Sequence, residues 1–126
     1  MKLNILLIGV GGACGSIFRY LTALYVSRQF PSSAFPYGTF SVNVTGCFII
    51  GVLFGLSERF HWLSPPVRLL LITGFCGGFT TFSTFAYENV QMLQQNNYAG
   101  LAFYSIVSCA VCICMVFVGL LVAKVF

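Results

Sequence analysis

The sequence predicts an all-α integral membrane protein of four transmembrane helices, the third broken near its middle. Three observations predict it. Of 126 residues, 59% are hydrophobic and only 6% charged, whereas soluble domains carry roughly 25% charged residues. Four apolar stretches each approach or exceed the roughly 20 residues that cross a bilayer, and polar breaks separate them. Residues 74–85 read Gly-Phe-Cys-Gly-Gly-Phe-Thr-Thr-Phe-Ser-Thr-Phe, a poor continuous helix inside an otherwise apolar span.

The elements follow in order within a single domain, 1–126. The first span covers about 3–26. It follows Lys2 as a signal peptide would, but it is too long, holds Arg19 and lacks a clear cleavage site, so it reads as a retained helix. A loop with two prolines and three serines precedes the second span, about 37–56. The break around Glu58, Arg59, His61 and Pro65-Pro66 ends that span. The third covers about 67–93 and is interrupted at 74–81. Glycine weakens a helix and lets another group approach the backbone. Irregular backbone at membrane depth survives only where protein buries it or a wet path runs beside it. This interruption is therefore the strongest candidate for function. A polar turn at 94–97 leads to the fourth span, about 99–125. No internal repeat or low-complexity tract is visible.

Composition also excludes. The net charge of +4 arises from eight charged side chains, too few for the clustered basic face of a nucleic-acid binder. Four crossings place both termini on one side with Lys2, Arg59, Arg68 and Lys124. Arg28, with or without Arg19, falls on the other. The positive-inside rule then favours cytoplasmic termini. The six cysteines, Cys14, Cys47, Cys76, Cys109, Cys112 and Cys114, all lie in apolar segments and read as small reduced side chains facing lipid or core. Cys109, Cys112 and Cys114 have a metal-like spacing but no histidine partner mid-helix. His61, the single histidine, reads as a solvated interfacial residue. No serine or cysteine has a His or Asp pair beside it, so an enzyme has little support.

A four-helix bundle this thin can hardly enclose a water-filled path alone, so an oligomer is expected. Gly11 and Gly15 form one Gly-xxx-Gly pair, Gly51 and Gly55 another. Such pairs let helices meet closely, between subunits or within one.

The polar residues in these spans are the candidates for chemistry. Arg19 can snorkel to the interface, hold an anion or pair with a carboxylate. Asn43 shares a helix face with Thr39 and Gly46. Its amide needs partners, either across helices or in an anion. On the third span Thr80, Thr84 and Glu88 fall at i, i+4 and i+8 and are expected to form one polar stripe. Phe82 and Phe85 form a neighbouring face, and ring edges carry positive potential that suits an anion shed of water. On the fourth span Tyr104, Ser108 and Cys112 repeat the i, i+4, i+8 spacing as a candidate hydrogen-bonding track, although serines also bond back to their own helix. Glu88, near the end of its helix, is expected at a mouth.

These stretches together resemble the small fluoride channels of bacteria, the Fluc or CrcB family. The resemblance covers nearly the whole chain. It rests on Gly11-Gly12 to Arg19-Tyr20, on Gly38-Thr39 through Asn43 to Gly46, and most specifically on Gly74 to Phe85 followed by Glu88. It implies a dual-topology antiparallel homodimer in the inner membrane of a bacterium, with two pores at the subunit interface. The pores would pass fluoride down its electrochemical gradient and so give fluoride resistance. It implies that Phe82 and Phe85 form an aromatic box and that Asn43 donates to fluoride. Tyr104 and Ser108 would form the polar track, with Ser83, Thr84 and Thr39 also on the fluoride pathway and Arg19 and Glu88 pore-associated. Cys112 stands where a family hydroxyl is expected. Backbone carbonyls of Gly77 and Thr80 would hold a structural sodium ion at the dimer axis, with no organic cofactor. Oxygen ligands suit such a hard cation. Two other classes compete: a proton-coupled small exporter, which would need a membrane-central carboxylate, and a non-transporting membrane scaffold.

Overall fold

The computed structural model describes residues 1–126 as helices joined by short connections. Helix α1 spans Lys2–Gln29 and α2 spans Tyr37–Arg59. The third crossing has two halves, α3 (65–79) and α4 (Phe82–Gln94). Helix α5 spans Tyr98–Ala123. Each of the four crossings is long and apolar enough to span a membrane. Helices α1 and α2 continue through polar residues, Ser27 to Gln29 and Ser57 to Arg59, because backbone bonding does not stop where hydropathy does.

Small residues decide which helices touch. A Cβ at Gly11 would collide with the Leu70 carbonyl, and one at Gly15 with the Phe75 carbonyl. In return, Gly74 and Gly78 of α3 lie against Ile8, Gly11 and Gly12 of α1. Gly51 meets the Val116 carbonyl of α5, and Gly119 of α5 meets Phe48 of α2. Contact positions rise together along each pair, so α1 runs parallel to α3 and α2 parallel to α5. Both Gly-xxx-Gly pairs are therefore used inside the chain. Backbone-to-backbone approach of this kind replaces the hydrophobic drive that lipid removes.

Helix α3 starts at Pro65, where the missing N–H costs nothing. From Leu69 to Cys76 it widens into a π-type winding, a form that recurs at functional sites. The glycines at 74, 77 and 78 stay helical, and the interruption falls after them. Thr80 and Thr81 are extended, with ψ of 158° and 115°. The expected stripe of Thr80, Thr84 and Glu88 is corrected accordingly. Thr80 is the first residue of the extended pair, so it shares no helical register with Thr84 and Glu88.

The end that holds both termini is closed by arginines. Arg59 Nη1 donates to the Lys124 carbonyl at 2.6 Å and to the Ala123 carbonyl at 3.2 Å. Arg68 donates to the Ser57 carbonyl at 2.6 Å and, through Nε, to the Leu63 carbonyl at 2.9 Å. Guanidinium groups here satisfy carbonyls that helix ends leave free. His61 is exposed beside them.

Candidate functional site at the helix break

The break survives because one side chain replaces the helix bonds it loses. Asn43 on α2 donates from Nδ2 to the Thr81 carbonyl at 3.0 Å and accepts the Thr81 N–H on Oδ1 at 2.8 Å. In a continuous helix that N–H would bond the Gly77 carbonyl, which the clamp sets free. Thr81 then caps α4, its Oγ1 accepting the Thr84 N–H at 3.2 Å, as a threonine N-cap does. The same oxygen donates to Thr84 Oγ1 at 3.0 Å and lies 3.3 Å from Ser83 Oγ. Thr80 Oγ1 turns back to the Cys76 carbonyl at 2.9 Å.

Helix α1 reaches the break from its other side. Arg19 Nη1 donates to the Thr80 carbonyl at 3.4 Å, and Ser16 Oγ lies 3.5 Å from the Gly78 carbonyl. Of the roles open to Arg19, the structure displays a bond to a backbone carbonyl and no carboxylate partner.

Beside the break lies a cavity of about 230 Å³. Asn43 and Cys47 of α2, Thr80 and Thr81 of the break, Phe82 and Phe85 of α4, and Ser108, Cys109 and Cys112 of α5 line it. Phe82 is 78% exposed and points away from the helix bundle. Its ring centroid is 5.6 Å from that of Phe85, and Phe85 packs on Tyr104 at 5.0 Å. Ser108 Oγ is buried without a hydrogen-bond partner. A buried hydroxyl left unbonded costs free energy that a bound acceptor would recover. The second N–H of the Asn43 amide is a further donor.

Glu88 lies outside this cavity. Thr39 Oγ1 donates to its Oε1 at 2.5 Å and Tyr104 Oη to its Oε2 at 2.7 Å. Its side chain lines two further cavities, of about 300 and 330 Å³, formed with Thr39, Tyr20 and Ser27 on one side and with Ser33, Phe35 and Gln91 on the other. The structure thus gathers Asn43, Thr80, Phe82, Phe85 and Ser108 on one cavity. Tyr104 is linked to it through Phe85. Thr39 and Glu88 occupy the adjoining spaces. Ser83 and Thr84 are exposed on the first turn of α4. Gly77 is exposed one turn before the break, and nothing would meet a Cβ there.

Two contributors escape a reading of the sequence. Thr81 is the residue the clamp holds, and the signal was present as a threonine three residues before Thr84 at a helix start. Cys47 faces the cavity, where composition alone places it in lipid or core; Cys112, expected on the track with Ser108, lines the cavity as well. No three metal-ligating side chains converge.

The bundle, whose four crossings are long and apolar enough to span a membrane, thus carries beside its clamped break a cavity walled by neutral polar groups and aromatic rings, with no charged side chain in its lining. The comparisons with known proteins identify the family. The family model described as "CrcB-like protein, Camphor Resistance (CrcB)" matches residues 6–120, and the chain belongs to this family. Relatives named "Fluoride-specific ion channel FluC" align over nearly the whole length of both chains. That of Azobacteroides pseudotrichonymphae is 42% identical, covering 100% of both chains. That of Flavobacterium psychrophilum is 42% identical over 96% of this chain and 97% of its own. That of Chlorobaculum tepidum is 45% identical over 98% and 96%.

Proposed function

We propose that the chain is a fluoride-selective passive channel. The observation that carries this is the cavity beside the Asn43-clamped break, with the unbonded Ser108 hydroxyl in its wall. Fluoride is small and holds its water strongly. A path must therefore replace that water with donors, and the Asn43 amide and the Ser108 hydroxyl are such donors. Phe82 and Phe85 add ring edges, which attract an anion without trapping it as a fixed cation would. Full-length relatives at 42–45% identity carry the fluoride-channel name.

The working unit in this reading is an antiparallel homodimer in the bacterial inner membrane, with two pores at the interface. The outward-pointing Phe82 supports it, because a ring on the outer surface needs a second wall before it can line a path. A sodium ion on the dimer axis would be held by the Gly77 and Thr80 carbonyls of each copy. The Gly77 carbonyl is freed by the clamp. The Thr80 carbonyl accepts only the long bond from Arg19 and keeps a second lone pair. When bound, the ion supplies positive charge that offsets the cost of bringing anions into a low dielectric. Its removal should dissociate the dimer or stop conduction; assembly and flux both intact without sodium would exclude it.

The physiological test is rescue of growth. A bacterial strain stripped of its own fluoride export should grow on fluoride when it carries this chain. The same strain carrying Phe82→Ile at equal membrane abundance should not. Failure of the wild-type chain to rescue, with the protein shown to be in the membrane, would contradict the reading.

A further inference from the structure

The cavity wall carries three thiols, those of Cys47, Cys109 and Cys112, that the fluoride path does not require. Helices α2 and α5 run parallel, and Gly51 sits against the Val116 backbone. One turn earlier on each helix are Cys47 and Cys112, so the same seam brings them face to face. Both side chains line the cavity together with Ser108. All six cysteines are free, so neither thiol is consumed in a disulfide.

We infer that Cys47 and Cys112 form a two-thiol site for a soft closed-shell cation, and that filling it obstructs the cavity. Thiolate ligands select soft ions such as monovalent copper over hard ones. No third cysteine, histidine or carboxylate joins the pair, so the site suits an ion content with two ligands. Each thiol gives up a proton to water as it becomes a thiolate ligand, so one divalent mercury ion displaces two protons. The bound ion, its charge balanced by the two thiolates, would stand beside the unbonded Ser108 hydroxyl and add a bulky atom where fluoride needs clear passage. The obstruction rests on the fluoride-channel reading; the binding site does not.

The probe is divalent mercury, used on a variant with Cys14, Cys109 and Cys114 changed to Ala, which keeps Cys47, Cys76 and Cys112. X-ray absorption should find one mercury per chain with two sulfur neighbours. That two-sulfur shell should vanish in Cys47→Ser and, separately, in Cys112→Ser, and excess dithiol should strip the metal from the parent. In vesicles, mercury should abolish fluoride efflux through the parent and leave the residual efflux of either serine variant unchanged. A two-sulfur shell that persists in both serine variants, or mercury bound through single sulfurs in the parent, would overturn the site. A two-sulfur site that leaves efflux intact would overturn the obstruction. Vesicles that never pass fluoride, with the two-sulfur shell present, would contradict the channel reading and leave the metal site standing.

Discussion

Asn43 does at residue scale what a helix would otherwise do for itself. Its amide answers both an N–H and a C=O of Thr81. Removing it leaves two backbone groups unpaired in a largely apolar surround, each costing about 1–3 kcal/mol. Asn43→Ala should therefore lower the thermal stability of the detergent-solubilised protein and reduce fluoride flux together. A variant that conducts fully with an unchanged melting temperature would remove the clamp from the account. The two phenylalanines should separate differently. Phe82 is 78% exposed, so Phe82→Ile should cut flux with no loss of stability. Phe85 packs on Tyr104 at 5.0 Å, an aromatic pair typically worth about 0.5–1.5 kcal/mol beyond area. Phe85→Ile should cut flux and lower the melting temperature as well. Thermal melts and efflux on both variants check the split, and unchanged flux in both would discard the aromatic assignment.

At the scale of elements, glycines set the spacing between helices. Gly15→Ala would push its methyl into the Phe75 carbonyl and Phe79 N–H. Such overpacking typically costs about 1–3 kcal/mol. Because α1 carries Arg19 to the break, the displacement should also weaken flux. Nothing meets a Cβ at Gly77 within one copy, so Gly77→Ala should leave the fold of the single chain intact. Circular dichroism melts and size-exclusion profiles of the two variants check this contrast, and equal damage from both would contradict it. The same elements tell how much was legible in the sequence. The four crossings were, because run length and hydropathy are local properties. That the third crossing is interrupted was legible too, from its glycines and paired threonines. The place of the interruption was legible only to within 74–81, not to the residue. It falls at Thr80-Thr81 because Asn43, far off in the chain, holds it there, and no local pattern encodes that partner. Nor does a Gly-xxx-Gly pair state which helix it faces; both pairs proved to face neighbours within the chain. The track residues Tyr104 and Ser108 lie on one buried face, as their i, i+4 spacing requires. The role of Cys47 was invisible, since only the α2–α5 seam turns it toward the cavity.

The whole molecule buries 19 of its 126 residues and leaves many large apolar side chains, Phe82 among them, on its outer surface. That surface, with Phe82 on it, is why the account places conduction in a dimer rather than in one chain. It also bears on the competing exporter. The one carboxylate inside the bundle, Glu88, is held by Thr39 and Tyr104 at the edge of the cavity. Glu88→Gln should still pass fluoride without a proton gradient, at a reduced rate because one hydroxyl must reverse its bond. Transport that appears only with a proton gradient and disappears in Glu88→Gln would favour coupled export. The most direct measurement is anion efflux from liposomes holding the purified protein, read with fluoride and chloride electrodes in parallel after valinomycin collapses the voltage. The account predicts rapid loss of fluoride with little loss of chloride and no need for a proton gradient. Retention of fluoride by vesicles shown to contain the folded protein, or equal loss of both anions, would contradict it.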